Sequence, residues 1–244
     1  TNLASAPAGQ FITVFKSRLY IAGTSGQSDR LFFSSVPSTA STPVITWTST
    51  DYIDINPKDG REGGDITGLA NNGTLLLVFK ERAMYRWNGS STDADLVVNV
   101  GCTSQESIST RNGLTFFFNP NGIYVTNGGF PTKLSLPIQR FINAIPGSYY
   151  ANVSGFTDEN HYYCSIGDVT VDGDTYSNAV LVYTINSKSW TVRTYAEEIR
   201  QFASYVDTDE TEKIMIGNDD GDVQDLNVGN TDAGTAIKYH LKTK

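Results

Sequence analysis

The chain has 244 residues and a formal net charge of −8, from 18 Lys and Arg against 26 Asp and Glu. That balance argues against a nucleic-acid surface built on excess positive charge, because duplex affinity comes largely from neutralised phosphates, although a local basic patch stays open. Hydrophobic residues at 39% and charged residues at only 18% exclude a charge-driven disordered chain, and the length suffices to bury a sizeable core in one or two domains.

Aromatic residues make up 11%, with 13 Tyr and 12 Phe, which leans toward β structure. The longest apolar runs, Leu75–Phe79 and Leu114–Phe118, are strand-sized, so no membrane span is expected. The first seven residues, Thr1 to Pro7, lack Met and lack a charged-then-apolar signal pattern, and they read like the middle of a longer polypeptide. Cys102 and Cys164 cannot make a disulfide scaffold; one bridge is open, with two reduced core thiols the favoured reading.

The elements recur along the chain as strand, polar tight turn, strand, Gly-bearing turn. Phe11–Lys16 leads through Ser17-Arg18 into Leu19–Ala22. Asp65–Ala70 passes through Asn71-Asn72-Gly73 into Leu75–Lys80, followed by Ala83–Trp87 and Asn88-Gly89. Ser107–Thr110 turns at Arg111-Asn112-Gly113 into Leu114–Phe118, then at Asn119–Gly122 into Ile123–Thr126. Val153–Phe156 leads into His161–Ile166, and Val180–Ile185 meets Asn186–Ser189 and continues from Trp190. Gln201–Val206 leads into Lys213–Gly217, and Asn218–Gly221 turns into Asp222–Asn227. Leu226–Gly234 is a polar loop and Ala236–Leu241 another strand.

Equivalent turns fall near positions 17, 73, 113, 160 and 212, in steps of 56, 40, 47 and 52. A four-stranded propeller blade needs ~40–50 residues, so the pattern predicts an all-β propeller of about five blades, or six if the two ends and Pro43–Ile55 contribute another, as a single domain over residues 1–244. Asn72-Gly73 and Asn112-Gly113 predict type I′ hairpins, which need positive φ at both central residues. Trp47 and Trp87 are expected to wedge between blades. One short helical insertion is expected over Leu134–Ala144, with Ser135 capping, Pro137 in the first turn and Ile138, Phe141 and Ile142 on one face.

Asn218-Asp219-Asp220-Gly221-Asp222 gathers three carboxylates in five residues, and oxygen ligands suit a hard cation such as Ca²⁺. The spacing departs from the helix-loop-helix calcium loop, so Asp219, Asp220 and Asp222 are the weaker metal candidates and a turn held by Asx hydrogen bonds is expected. Asp168–Asp174 is a second acidic loop that reads as a long exposed hairpin ending at Asp172-Gly173. Asp51–Asn56 alternates as a half-buried strand with its acids facing solvent. The two histidines, His161 and His240, have no ligand-spaced partner for zinc. No Gly-x-Ser-x-Gly elbow is present, Gly63-Gly64 lacks a following Lys-Ser/Thr, and Cys102 reads as an apolar strand-end residue. The sequons at Asn72, Asn88 and Asn152 are what an Asn-, Ser- and Thr-rich chain contains by chance. No catalytic residue, metal or cofactor is assigned.

The motifs in their order carry a resemblance. Asp29-Arg30-Leu31-Phe32-Phe33-Ser34, Asp65-Ile66-Thr67-Gly68-Leu69, Leu77-Val78-Phe79-Lys80-Glu81 with Tyr85-Arg86, Gly101-Cys102-Thr103-Ser104 with Ser107, and Gly122-Ile123-Tyr124 follow one another. This run resembles the propeller-containing tail tubular, nozzle or hub proteins of short-tailed bacteriophages, over roughly residues 10 to 185. The resemblance implies a non-enzymatic virion tail component, made in the host bacterial cytoplasm, assembled in a ring with its own copies and with neighbouring tail and portal-adaptor proteins. Phage DNA would pass without specific binding, and no membrane is implied. Family members are usually longer, so the chain reads as a fragment of a tail protein. Partner contacts are expected on loops: Ser28 and Asp29 in the 24–29 loop, Asp168, Asp172 and Asp174 in the acidic loop, and Gln139 and Arg140 on the helix. Two other readings stand beside this one. A sugar-binding propeller or adhesin would stack Tyr149, Tyr150, Tyr162 or Tyr163 on pyranose rings; a propeller glycoside hydrolase would pair carboxylates about 5–9 Å apart.

Overall fold

The computed structural model describes residues 6–38, 45–55, 64–226, 231–232 and 235–236. The chain divides into two compact units, Thr1–Pro137 and Ile138–Lys244. Both are built of antiparallel meanders in which consecutive strands pair in chain order.

In the first unit three four-stranded sheets follow one another. Sheet 1 holds β1 (Phe11–Phe15), β2 (Arg18–Ala22), β3 (Arg30–Phe33) and β4 (Tyr52–Asp54). Sheet 2 holds β5 (Ile66–Asn71), β6 (Leu76–Lys80), β7 (Met84–Trp87) and β8 (Asp95–Val98). Sheet 3 holds β9 (Ser109–Arg111), β10 (Leu114–Asn119), β11 (Gly122–Thr126) and β12 (Thr132–Lys133).

Period-two alternation explains how these sheets stack, since successive side chains of a strand point to opposite faces. On β6, Leu76 and Val78 join Phe15, Tyr20 and Leu31 of sheet 1 in one core. Leu77 and Phe79, on the opposite face, join Phe117 of sheet 3 in another. Every residue of β6 is therefore buried, and the strand reads as an uninterrupted apolar run rather than an alternating one. Trp87 is the wedge expected of it: its ring lies 5.6 Å from that of Tyr20 and 6.2 Å from that of Phe33, and its Nε1 donates to the Ser91 carbonyl at 2.8 Å. Trp47 packs on the other face of sheet 1, against Ile21 and Phe32.

Polar groups stitch the same sheets together. The Lys80 ammonium, only 1% exposed, binds the Asp29 carboxylate across from sheet 2 to the β3 approach. The Gln105 side chain accepts from Leu69 N at 2.7 Å and donates to Leu69 O at 3.3 Å. Thr67 Oγ1 donates to the Cys102 carbonyl at 2.5 Å, and Asn71 Nδ2 to the Val14 carbonyl at 2.7 Å. Gly101 is needed for close approach: a Cβ there would sit 2.0 Å from the Lys80 carbonyl oxygen.

The two expected Asn-Gly hairpins differ. Arg111 pairs with Leu114 around Asn112 (φ 52) and Gly113 (φ 75), the expected two-residue turn. At Asn72-Gly73 the strands pair Asn71 with Leu76, leaving a four-residue loop. There Asn72 N donates to Leu75 O, and Leu75 N donates back to Asn72 Oδ1 at 2.9 Å. The buried Asn72 side chain closes the wider turn itself, so only Gly73 needs positive φ. A two-residue turn does form at Lys16-Ser17, where both φ values are positive, one position earlier than the sequence suggests.

In the second unit sheet 4 holds β13 (Ser154–Thr157), β14 (His161–Val171), β15 (Asp174–Thr184) and β16 (Ser189–Thr194). Sheet 5 holds β17 (Ile199–Val206), β18 (Glu212–Asn218) and β19 (Val223–Asp225). β20 (Thr231–Asp232) and β21 (Thr235–Ala236) form a two-stranded pair. Tyr163, Val180 and Val182 of sheet 4 pack on Phe202, Ile214 and Ile216 of sheet 5. Beyond position 236 the expected last strand lies outside the described residues, as do His240, Gly63 and the extreme termini.

The β14–β15 ribbon runs past its flanking strands to a tip at Asp172-Gly173, as expected. The helix is shorter than expected. α1 covers Gln139–Ala144 after a 3₁₀ turn at Leu136–Ile138, and its ring contact is Phe141 against Tyr176 at 5.1 Å. Ser135 does not cap it; the buried Ser135 hydroxyl accepts from Ile123 N at 3.0 Å and so belongs to sheet 3.

The Asp29–Lys80 tie has a measurable weight. Asp29→Ala strands an ammonium inside the sheet 1–sheet 2 core and should destabilise the chain by about 2 kcal/mol, whereas Lys80→Met, which removes the charge and keeps the stem, should cost less. Urea unfolding of both variants checks the order.

Candidate functional site

Several of the acids singled out in the sequence hold a piece of backbone or a neighbouring side chain. In the 218–222 loop, Asn218 N donates to Asp222 O at 3.1 Å and Asp222 N to Asn218 Oδ1 at 2.7 Å, the Asx-held turn expected there. Asp219 Oδ1 accepts from Glu198 N at 3.1 Å, tying this turn to the start of β17. Asp220 and Asp222 face solvent. Among the described residues no group of three or more His, Cys, Asp and Glu side chains is gathered for a cation.

The expected partner-contact residues fall into three places. In the first unit the Ser28 carbonyl accepts from Ile66 N at 3.1 Å, and Asp29 holds Lys80, so both brace sheet 1 against sheet 2. In the second unit Arg140 of α1 forms an ion pair with Asp172 at the ribbon tip, and both side chains are mostly exposed. Gln139 Nε2 donates to Asn143 Oδ1 at 2.9 Å within α1. Asp168 Oδ1 accepts from Asn178 N at 2.8 Å, while Asp174 is exposed at the base of the turn.

One polar constellation is passed over by the sequence reading except for Tyr149. In the second unit the Tyr149 hydroxyl donates to the Glu198 carboxylate, which Arg200 Nη1 approaches to 2.9 Å. Glu198 is largely buried, with 16% of its side chain exposed. Burial pushes the Tyr149 phenol up, and the bond to Glu198 and its negative charge push it further. Gly167 (φ 67) makes room for it, because a Cβ there would come within 2.8 Å of the Tyr149 ring. Beside it Glu197 accepts from Asn218 Nδ2, and Tyr195, Ile199, Ile216 and Gln224 complete a shallow depression. The sequence signal was the Glu197-Glu198 pair followed by Arg200 at a strand start. It looks like any solvated charge run until the 3₁₀ segment Gly147–Asn152 brings the phenol to it.

The remaining candidates are structural in their surroundings. Tyr162 and Tyr163 are buried, and Tyr163 OH donates to Asp158 Oδ2 at 3.2 Å, so neither offers a ring face for a sugar. His161 Nδ1 lies 3.4 Å from the same carboxylate. Cys102 and Cys164 are both buried and unpaired with each other. Cys102 Sγ donates to Ser104 O at 3.0 Å, and burial pushes its thiol up to about 11, far from the range of an activated nucleophile.

No protein-family model and no curated protein matches the chain. Among solved structures it is similar to U3-55K, at 12% identity and a TM-score of 0.52, covering 91% of this chain and 61% of that one. It is also similar to the extracellular domain assigned to a hybrid two component system, BT4673, from B. thetaiotaomicron, at 11% identity and a TM-score of 0.51, covering 90% of this chain and 26% of that one. The likeness is one of fold. The chain is all-β and of the β-propeller type. It spans less than two thirds of the length of either structure.

Two solution measurements follow from the site. In the folded chain neither thiol should react with an aromatic disulfide reagent at about pH 8, and both should react once denaturant opens the core. For Tyr149, the unfolded phenol ionises near pH ~10 while the folded one keeps its proton, so its stabilisation is complete below that value and is lost as pH rises. Tyr149→Phe should therefore flatten the fall of the urea midpoint between about pH 9 and 11 relative to the parent chain.

Proposed function

We propose that this chain is a structural β-propeller module of about five blades, part of a tail tube, nozzle or hub protein of a short-tailed phage. It would serve as a rigid platform around the DNA conduit. The observation that supports this most is how the chemistry-bearing side chains are used. Asp29, Lys80, Asp158, Asp168, Asp219, Glu198 and Arg200 all bind strand ends, turns or one another rather than converging on an open pocket. A wall that must resist load without doing chemistry is built this way. The five successive meanders supply the blades, and the ordered motifs between residues 10 and 185 supply the likeness to the tail family.

The charge supports the same reading. A net charge of −8 disfavours counterion release onto phosphates, so DNA passing such a surface would stay mobile. In this reading the partners are further copies in a ring and the neighbouring tail and adaptor proteins, met through the exposed α1 and β14–β15 tip. In the same reading the chain is made in the bacterial cytoplasm and resides in the virion tail.

Immunogold electron microscopy tests the proposal. Antibody raised against the purified chain should label one site on the tail of the phage particles that encode it. Label on the capsid alone, or no label on particles whose tail proteins are demonstrably accessible, would overturn it.

A further inference from the structure

The chain carries five Asn-Gly pairs, at Asn72, Asn88, Asn112, Asn121 and Asn127. Such a pair can rearrange without an enzyme. The glycine backbone nitrogen attacks the asparagine Cγ and loses its proton, ammonia leaves, and a five-membered succinimide forms. Water then opens the ring at either carbonyl, giving aspartate or isoaspartate. The reaction consumes one water, releases one ammonia and needs no oxidant or reductant. It needs a free glycine N–H, a side chain able to rotate, and a backbone able to open.

The fold withholds one or more of these conditions at four of the five pairs. The Gly73 N–H is engaged by Asn71 Oδ1 at 2.8 Å, and Asn72 is buried with its own side chain bound to Leu75 N and to the Asn127 carbonyl. The Gly128 N–H is buried and engaged by Thr126 Oγ1 at 2.9 Å. The Asn88 Oδ1 is held by Ser90 N at 2.9 Å and Ser91 N at 3.0 Å. Gly122 is buried and is itself a ladder residue, paired with Asn119.

Asn112-Gly113 differs in each respect. Both residues are exposed, and the described residues give the Asn112 side chain no hydrogen bond. A Cβ built on Gly113 would meet nothing within 4 Å, so the tip has open space around it. The two residues close a two-residue turn whose outer strand, β9, is only three residues long and pairs only through Arg111, Thr110 and Ser109. Opening such a short edge strand is a low-cost local event. We infer that Asn112 is a self-modifying site of this chain, converting with water to aspartate and isoaspartate ahead of the other four pairs.

The product would matter locally. Isoaspartate places an additional methylene in the main chain of a turn that has two residues to close Arg111 onto Leu114, and it introduces a negative charge there. The adjacent Thr110–Thr115 hydroxyl contact at 2.9 Å and the β9 pairing would be the first to go.

The full-length chain is incubated at mildly alkaline pH, digested at lysine and sequenced by fragment-ion mass spectrometry, with isoaspartyl methyltransferase labelling as a second readout. Conversion at Asn112 should exceed that at each other pair by at least about fivefold, the factor supplied by one hydrogen bond of ordinary net strength. In the denaturant-unfolded chain the five pairs should convert at similar rates, and Asn112→Gln should remove most of the methyltransferase signal from the folded chain. Faster conversion at any other Asn-Gly pair in the folded chain would overturn the inference, as would the same ranking in the unfolded chain.

Discussion

Sandwiching of sheet 2 by apolar side chains on both faces is the constraint on which the first unit depends. A strand such as β6 has no solvent side: Leu76 and Val78 serve one core, Leu77 and Phe79 the other. Burying a side chain of this kind contributes about 1.5–3 kcal/mol, and the contribution is lost if the neighbouring sheet moves away. The sheets are thus obligate neighbours. The same requirement explains why polar residues at their seams are satisfied by partners on the next sheet, as Gln105 is by Leu69 and Lys80 by Asp29.

Much of this organisation can be read from residue order. The apolar runs at Leu75–Phe79 and Leu114–Phe118 announce strands covered on both faces, and Asn112-Gly113 and Asp172-Gly173 announce their turns because few other residues accept consecutive positive φ. Asn72-Gly73 misleads for a physical reason. Asparagine can also close a wider turn with its own side chain, and burial against Asn127 favours that alternative. The helix misleads similarly. Ser135 suits a cap by type, but the Ile123 N–H in sheet 3 needs an acceptor and takes it.

The Tyr149–Glu198–Arg200 constellation lay beyond sequence reasoning because its members come from a 3₁₀ segment and a strand start separated by the whole of sheet 4. What makes the phenol fit is an absence, the missing Cβ of Gly167 at a bulge in β14. Absent atoms have no periodicity. The acids at 168–174 and 218–222 were legible as turns, since Asp and Asn beside Gly form Asx bonds in any context, but their attachment to Asn178 and Glu198 depends on tertiary position.

Lys80 joins three segments of the first unit through one residue. Its ammonium grips the loop before β3, its carbonyl accepts from Cys102 N at 3.0 Å, and its amide donates to Ala83 O at 2.8 Å. Gly101 lets the Cys102 segment press against that carbonyl with no side chain between. Mechanical strain entering at either outer sheet is therefore shared through covalent backbone as well as through greasy contacts, and shear between layers must break directional bonds before it can slide them.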